Sequence, residues 1–311
     1  MAGVDTMKSI SKVNTGIKVN GDIKISRFKM NKKKKVTRSL GGDMVIFIFL
    51  AVCGVFSALP LVYAIVNAFK PLNELFLFPP RFFVRNPTLD NFTTMIQLAE
   101  NMWVPFQRYL FNSLFIAVFG TAAYTIIASL AAYPLAKHKF PGCALFFQIV
   151  VAALLFSPQV TGIPQYIIIS KLGLINTYFA ILLPVFAGSF GVFLMRQFMV
   201  TFPDATIEAA KIDGAGEFKI FWSIVMPAVK PGWLTLGIFT FQGLWNNGGV
   251  SYIYSENLKM LPTVLTQIAS AGIARAGAGS AVALFLMVPP IIVFVISQSS
   301  VIETMSHSGL K

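Results

Sequence analysis

Few residues in this sequence could perform covalent or metal chemistry, and they are widely separated. There are two histidines, His138 and His307, and two cysteines, Cys53 and Cys143. No H-E-x-x-H pair or G-x-S-x-G turn brings zinc ligands or a nucleophilic serine together. The G-x-x-x-x-G-K-[ST] loop that cradles nucleotide phosphates is also missing. We therefore expect no catalytic residue, no metal site and no cofactor bound by this chain.

The most informative polar segment runs from residue 201 to residue 232. A first short helix is expected over 205–213, stopped by Gly214 in the left-handed conformation. A second is expected over 217–225, ending near Pro227. Its apolar residues recur at i, i+3, i+4 and i+7, which predicts one apolar face made of Phe218, Phe221, Trp222 and Val225. Two short helices around a glycine form a compact knob, which either docks on a partner or packs on its own bundle.

The composition around this segment is that of a protein whose solvent is lipid. Hydrophobic residues make up 56% of the 311 positions and charged residues 12%, against roughly 25% charged residues in soluble domains. The mean hydropathy is +0.72. A soluble globular domain and a wholly disordered chain are both excluded, and two cysteines exclude a disulfide scaffold.

Six long runs without Lys, Arg, Asp or Glu divide most of the chain. Each is 24 to 31 residues long, enough for one span, since a bilayer needs about 20 apolar residues per helix. The runs are continuously apolar rather than alternating, which favours helices over barrel strands. We therefore predict an all-α integral membrane protein with six transmembrane helices, over the runs Met44–Phe69, Tyr109–Ala136, Phe140–Ser170, Leu172–Met195, Pro231–Ser255 and Ala276–Ile302.

The distribution of basic residues predicts the orientation. Before Met44 there are 11 basic and three acidic residues, and such an excess favours the cytoplasmic side. Both termini are then expected in the cytoplasm, with the chain crossing the cell membrane several times. The organisation expected is a disordered tail over 1–42, a first helix and outer loop over 43–107, a core domain with five transmembrane helices over 108–302 and a second tail over 303–311. Translation could begin at Met1 or at Met30.

The segment 201–232 carries a resemblance to a known family. Glu208-Ala209-Ala210, then Gly214, nine residues to Ile224, and Pro227 match E-A-A-x3-G-x9-I-x-x-P, the EAA loop of ABC-importer permeases. Other stretches are similar to the carbohydrate, maltose-type branch of that family. They are Asn112-Ser113, Tyr133-Pro134-Leu135-Ala136, P-Q-V-T-G-I-P-Q-Y at 158–166, K-L-G-L-I-N-T-Y at 171–178 and Arg196-Gln197-Phe198.

The resemblance implies the type I ABC importer permease fold, a set of partners and a mechanism. The chain would be the permease subunit of a binding-protein-dependent importer for a sugar or oligosaccharide. Its partners would be a second homologous permease, two cytoplasmic ATP-binding subunits holding ATP and Mg, an extracellular sugar-binding protein and the lipid bilayer, with no nucleic acid. The residues that would couple to the ATPase are Glu208, Ala209, Ala210, Asp213, Gly214, Ala215, Phe221, Ile224 and Pro227.

Substrate contacts are expected among polar and aromatic residues of the spans. The candidates are Tyr124, Gln159, Gln242, Trp245, Asn246 and Asn247, because a polar group in a span faces protein or water rather than lipid. Hydrogen bonding between helices is the alternative role for each of them. Outside the spans, apolar residues at helical spacing predict a surface-lying helix over 260–271 that caps the bundle or meets the binding protein.

Two other classes of function remain open at the level of the residues. A secondary carrier or channel without an ATPase partner would move a solute alone, although buried acidic residues in the spans, which would support it, are missing. A structural or assembly protein would tolerate disruption of the knob. Under the importer hypothesis, Gly214→Pro abolishes uptake while the chain still inserts.

Overall fold

The computed structural model of the chain describes residues 40–100, 104–247, 249, 251–270, 272 and 275–308. Every regular element in these residues is helical. The chain divides into two compact units, Met1–Val55 and Phe56–Lys311, with the boundary inside the first helix. The expected tail over 1–42 lies outside the described residues except for its last three positions, which belong to that helix.

The helices follow one another with short connections. The longer ones are α1 (Leu40–Ala68), α3 (Asp90–Glu100), α4 (Phe106–Lys137), α5 (Cys143–Ala153), α6 (Pro158–Lys171), α7 (Phe179–Phe186), α8 (Ser189–Val200), α9 (Asp204–Ile212), α12 (Lys230–Asn246), α13 (Leu261–Ala269) and α14 (Ala276–Ser308). Short helical pieces are α2 (Leu72–Leu75), α10 (Glu217–Ile220), a π-helical turn (Phe221–Val225), α11 (Met226–Ala228) and a 3-10 turn (Glu256–Leu258).

Among the residues that the structure describes, four helical stretches are long and apolar enough to cross a membrane. They are Gly41–Ala68, Phe106–Lys137, Phe179–Val200 and Ala276–Gln298, and each corresponds to one of the predicted runs. The last helix continues past Ile302 to Ser308, so most of the segment expected to be a tail after 302 is helical.

Neither of the other two predicted spans is one straight helix. The run Phe140–Ser170 is a bent pair, and the run Pro231–Ser255 is helical only as far as Asn246, where α12 ends, with its bend before α12. α5 and α6 meet at 106°, and the segment Glu217–Ala228 meets α12 at 78°. Ser157 is extended ahead of Pro158, because a residue before proline is forced out of the helical region. At the second bend Val229 leaves helical geometry and Pro231 opens α12. With 17 residues α12 is about 26 Å long, less than the hydrocarbon thickness of about 30 Å.

Within the unit Phe56–Lys311, α4 is the central helix. It packs against α8 along one side and against α12 along another. Its N-terminal half contributes Tyr109 and Ile116 to a core shared with α12, α13 and α14. Its C-terminal half contributes Tyr124 and Tyr133 to a second core shared with α8 and the knob. The single helix α4 therefore contributes side chains to both hydrophobic cores.

The helix predicted over 260–271 is present as α13, and its apolar face is inside the fold. Leu261, Val264, Leu265 and Ile268 are all buried, and the helix packs on α14, α4 and α3. The prediction of a helix is confirmed. The helix was expected to cap the bundle or to meet the binding protein, and its buried apolar face explains how it caps the bundle.

Candidate functional site

The knob, defined as residues 204–228, begins with α9 and a tight left-handed turn. The Gly214 N–H donates to the Lys211 carbonyl at 3.0 Å, and the Ala215 N–H donates to the Ala210 carbonyl at 2.9 Å. This hydrogen-bond pair is the Schellman end of a helix, which needs a positive φ at the residue after the cap. Gly214 has φ +79°. The motif thus runs from Ala210 to Ala215, with Gly214 at the position that needs the positive φ.

The buried face of the knob is different from the predicted one. Ile220, Phe221 and Val225 are buried, while Phe218 is 70% and Trp222 38% exposed. The prediction that Phe218, Phe221, Trp222 and Val225 form a single face was wrong. The cause is the π-helical turn over 221–225: about 4.4 residues per turn bring positions i and i+5, here Ile220 and Val225, to the same side.

The residues predicted to couple to an ATPase divide between two environments. Glu208, Ala209, Asp213 and Pro227 are exposed, and they share the knob surface with Ile212, which is 86% exposed. Ala210 and Phe221 are buried in the core beneath the knob, and Ile224 and Ala215 are partly buried against it. The exposed set can meet another protein, whereas the buried set holds the knob to the bundle.

Charged and polar side chains fasten the knob to the C-terminal end of α4. The Lys137 ammonium donates to the Phe202 carbonyl at 2.5 Å and to Asp204 Oδ1 at 2.6 Å. The hydroxyl of Tyr133 donates to Glu217 Oε2 at 3.1 Å, and Lys211 Nζ lies 2.5 Å from Glu217 Oε1. The sequence singled out none of these contacts, and those made by α4 join residues 65 to 84 positions apart along the chain.

The same contacts fix the ionisation of both carboxylates. The hydrogen bond from Lys137 lowers the pKa of Asp204 from its ordinary 3.8. The hydrogen bond from Lys211 is the largest cause of the lowered pKa of Glu217, ordinarily 4.5, and smaller contributions come from Tyr133 and His138. Both groups are therefore anionic at neutral pH, as ion pairing with a neighbouring cation favours the charged form.

The predicted substrate-pathway residues do not form one site. Gln242 and Asn246 line a cavity of about 360 Å³ together with Ala283, Leu286, Met287, Pro290 and Ile291. Gln159, on α6, is exposed and does not line that cavity. The Asn247 side chain accepts the Gly249 N–H at 3.0 Å in a local turn. Of this set, Gln242 and Asn246 thus share a cavity.

The two aromatic candidates, Tyr124 and Trp245, are buried and already hydrogen bonded. The Tyr124 hydroxyl accepts the Gly191 N–H at 2.7 Å and donates to the Gly188 carbonyl at 2.8 Å. The Trp245 indole N–H donates to the Leu286 carbonyl at 2.9 Å. Both side chains therefore have the second of the two roles expected for them, hydrogen bonding between helices. In that role a buried polar atom finds its partner on a neighbouring helix.

No group of three or more metal-ligating side chains is found among the residues described. His138 lies beside Glu217, with Nε2 and Oε1 3.4 Å apart, and Cys143 points its sulfur toward the Leu135 carbonyl at 3.8 Å. Cys53 is exposed on α1. The polar groups that do cluster are thus arranged to connect helices.

The sequence is similar to those of known proteins. Protein LplC of Bacillus subtilis is 33% identical over 233 residues, covering 73% of this chain and 75% of that protein. The sn-glycerol-3-phosphate transport system permease protein UgpE of Yersinia enterocolitica is 35% identical over 177 residues, covering 57% of this chain and 59% of UgpE.

A solved structure shares the fold. It is that of a bacterial ABC transporter involved in the import of the acidic polysaccharide alginate, and one of its chains superposes with a TM-score of 0.70 at 21% identity. The match covers 84% of this chain and 98% of the other. At this identity the likeness concerns the fold, which is that of a type I ABC importer permease.

A family profile matches residues 130–306, which contain the knob, the bent spans and the last helix. That profile describes the inner membrane component of binding-protein-dependent transport systems. With more than half of the sequence matched, and with apolar helices that can span a bilayer around an exposed knob, the chain belongs to this family of membrane permeases.

Proposed function

We propose that this chain forms half of the translocation pathway of an ATP-driven importer and couples to a separate ATPase subunit through the knob. One observation carries the proposal. The knob leaves Glu208, Ala209, Ile212 and Phe218 exposed while its inner face is anchored in a hydrophobic core. A firmly held element with an exposed apolar and acidic surface suits docking into a cleft of another protein.

The exposed surface has the composition of a docking helix. Ala209 lets a partner backbone approach closely, since a methyl group fills little space. Ile212 and Phe218 supply apolar area that a cleft would remove from water, at roughly 25 cal/mol per Å². Glu208 supplies a charge for orientation at the edge of the contact. Asp213 and Pro227 border the same surface.

Energy would come from outside this chain. The sequence has no phosphate-binding loop, so ATP and Mg belong to two partner ATP-binding subunits, and the chain is not itself an enzyme. A second permease completes the pathway and an extracellular binding protein delivers the substrate. The family description, which names dependence on a binding protein, supports this assignment of partners.

The orientation follows from charge. We place both termini and the knob on the cytoplasmic side, with a basic tail over 1–42 and the core permease domain over 108–302. The support is the excess of basic residues before Met44, which is typical of the cytoplasmic face. The knob then lies on the side where ATP is available.

The substrate class is a sugar or oligosaccharide. The sequence stretches similar to maltose-type permeases support this, as do the alginate importer that shares the fold and the phosphorylated polyol named for UgpE. Gln242 and Asn246, which share a cavity beside the apolar Leu286, are the residues of this chain placed to hydrogen bond a sugar hydroxyl. Such a site combines apolar walls with a few polar groups.

The test is reconstitution in vesicles with a partner permease, an ATPase and a binding protein. Sugar uptake and ATP hydrolysis should both require all components, and a panel of sugars identifies the substrate. Uptake by this chain alone, without nucleotide, would overturn the proposal.

A crosslink tests the docking surface directly. With Cys53 and Cys143 replaced by serine, Ala209→Cys should crosslink to the ATPase subunit through a short bifunctional maleimide. Lys139→Cys, exposed but off the knob, is the matched control. A crosslink from position 139 and none from 209 would contradict the docking surface.

A further inference from the structure

The C-terminal end of α4 holds the first helix of the knob through a buried charge. The Lys137 side chain is only 4% exposed, and its ammonium meets the Phe202 carbonyl and the Asp204 carboxylate. Asp204 is the first residue of α9. If the knob moved without α4, this ammonium would lose its acceptors while still removed from water, which is strongly unfavourable. The contact therefore resists separation of the knob from α4.

A second contact holds the other helix of the knob. Glu217, the first residue of α10, accepts the Tyr133 hydroxyl and pairs with Lys211 of α9. One carboxylate thus joins α4 to both helices of the knob. Side chains of Glu217 and Lys211 are about half exposed, so the pair adds little to stability. Its geometry instead fixes the angle between the knob and α4.

The opposite end of α4 carries a matching set of contacts. The buried Asn112 amide donates to the carbonyls of Asn257 and Lys259, both at 2.9 Å. The Ser113 hydroxyl accepts the Leu261 N–H at 2.7 Å. The loop before α13 is therefore fastened to α4 as the knob is at the other end. Asn112-Ser113 is one of the stretches shared with the maltose-type branch, and the fold gives it this role.

Between the two sets of contacts α4 is unbroken. Its 32 residues correspond to about 48 Å, and Pro134 lies only in its last turn. It packs along α12, the helix that bears Gln242 and Asn246. A displacement of its knob end is carried as a rigid-body movement to the loop at its other end and to the wall of the cavity.

We propose that α4 is the element that transmits the movement of the knob to the pathway, and that Lys137 and Glu217 are the positioning residues through which it is moved. The inference rests on the function proposed above. It adds that docking of the knob on a motor is insufficient. The hydrophobic core keeps the knob on α4, but both polar contacts are needed to hold the angle at which movement of the knob turns α4. Without them, hydrolysis of ATP continues but does not open the pathway.

The experiment uses the complete transporter in nanodiscs, with Asn246→Cys as a reporter of the cavity and with Cys53 and Cys143 replaced by serine. The probe is a membrane-impermeant maleimide, so the substrate need not be known. The measured quantity is the ratio of labelling rates between the ATP–vanadate-trapped and nucleotide-free states. For this parent we expect a ratio of about tenfold, within the usual range of coupling between sites.

Two variants each remove one contact with little change of shape. In Lys137→Gln and Glu217→Gln the labelling ratio should fall to within about twofold of unity while ATP hydrolysis continues, because coupling between the sites is lost. Lys137→Arg, which keeps the charge and the donors, should retain the parent ratio. Lys139→Gln is the matched control: this exposed lysine acts on Asp204 through its electric field and should also behave as the parent.

The outcomes separate the two proposals. A parent whose labelling does not respond to nucleotide would overturn the proposed function and the transmission role with it. A responsive parent whose Lys137→Gln and Glu217→Gln variants respond equally would overturn the transmission role alone. If Lys137→Gln does not assemble, Glu217→Gln decides the question, because that side chain is half exposed and the substitution keeps its shape.

Discussion

The two ends of α4 are fastened by different chemistry. At the knob end the contacts are ionic and partly exposed: Lys137 with Asp204, and Lys211 with Glu217. At the other end the buried Asn112 donates to two backbone carbonyls. Closer to the end of the helix, Tyr109 and Arg108 add contacts to the Glu256 carboxylate and the Asn257 carbonyl. The Lys137 ammonium is buried and cannot leave its acceptors cheaply. The half-exposed pair of Lys211 and Glu217 can be remade with little cost as its surroundings change. Buried amide contacts cost much more to break.

This difference indicates which end is built to be moved and which is built to hold. A neutral buried contact keeps one geometry, since each unsatisfied group is penalised. The half-exposed ion pair of Lys211 and Glu217 tolerates several geometries. The predictions that follow test that contrast, in order of decreasing effect.

The largest effect is expected for Asn112→Ala. The Asn112 side chain, which is fully buried, donates to two backbone carbonyls and accepts the Tyr178 hydroxyl at 2.7 Å. Leaving such partners unsatisfied costs about 1–3 kcal/mol each, and because the losses are not additive we expect a total of about 3 kcal/mol. Denaturant unfolding in detergent measures it. Asn246→Ala, at an exposed position, is the control, and a loss as small as the control's would refute the holding role.

Gly191→Ala should destabilise the packing of α8 on the middle of α4 by about 1–3 kcal/mol, the usual cost of overpacking. A Cβ at Gly191 would lie 2.6 Å from the Tyr124 hydroxyl oxygen and 2.9 Å from the Ala128 Cβ. Gly237→Ala is the control of opposite sign. There the nearest atom is 3.8 Å away, and alanine in a helix interior is favoured over glycine by about 0.5–1 kcal/mol. Equal effects at the two positions would contradict the close packing of α4 on α8.

Gly214→Ala should weaken the knob locally by about 1 kcal/mol, because an L-residue in the left-handed conformation costs about 1–2 kcal/mol. The space around Gly214 is open, so the cost comes from φ alone. Hydrogen exchange of the α9 amides measures it. Gly216→Ala is the control, since Gly216 has φ −70° and equally open surroundings. Faster exchange in both variants would count against the Schellman turn.

The smallest effect concerns pH. Because the folded-state pKa of Asp204 is lowered by Lys137, the carboxylate adds stability above its ordinary pKa, and this contribution is lost as pH falls through the folded value. The difference in unfolding free energy between the wild type and Asp204→Asn should thus be constant from about pH 8 to pH 5. It should decrease toward zero as the pH falls below about 4. A difference that grows on acidification would show that the sign is wrong.

The knob shows how far local reasoning reaches. The stop at Gly214 was predictable because the Schellman turn depends on residues within six positions of each other. The exposure of Phe218 and Trp222 beside the buried Phe221 could not be predicted. The prediction assumed the 3.6-residue period of an α-helix, and the π-helical turn departs from that period. The apolar runs likewise predicted spans, but the 106° bend between α5 and α6 was hidden inside one continuous run.

The sequence by itself determined the lipid environment, the number of apolar segments and the two short helices on either side of Gly214, because hydropathy, helix stops and motif spacing are properties of neighbouring residues. Only the tertiary structure decided that Tyr124 and Trp245 tie helices together, that Gln242 and Asn246 share a cavity, and that Lys137 and Glu217 fasten the knob. A polar side chain in a helix has many possible partners, and the packing of distant helices selects one of them.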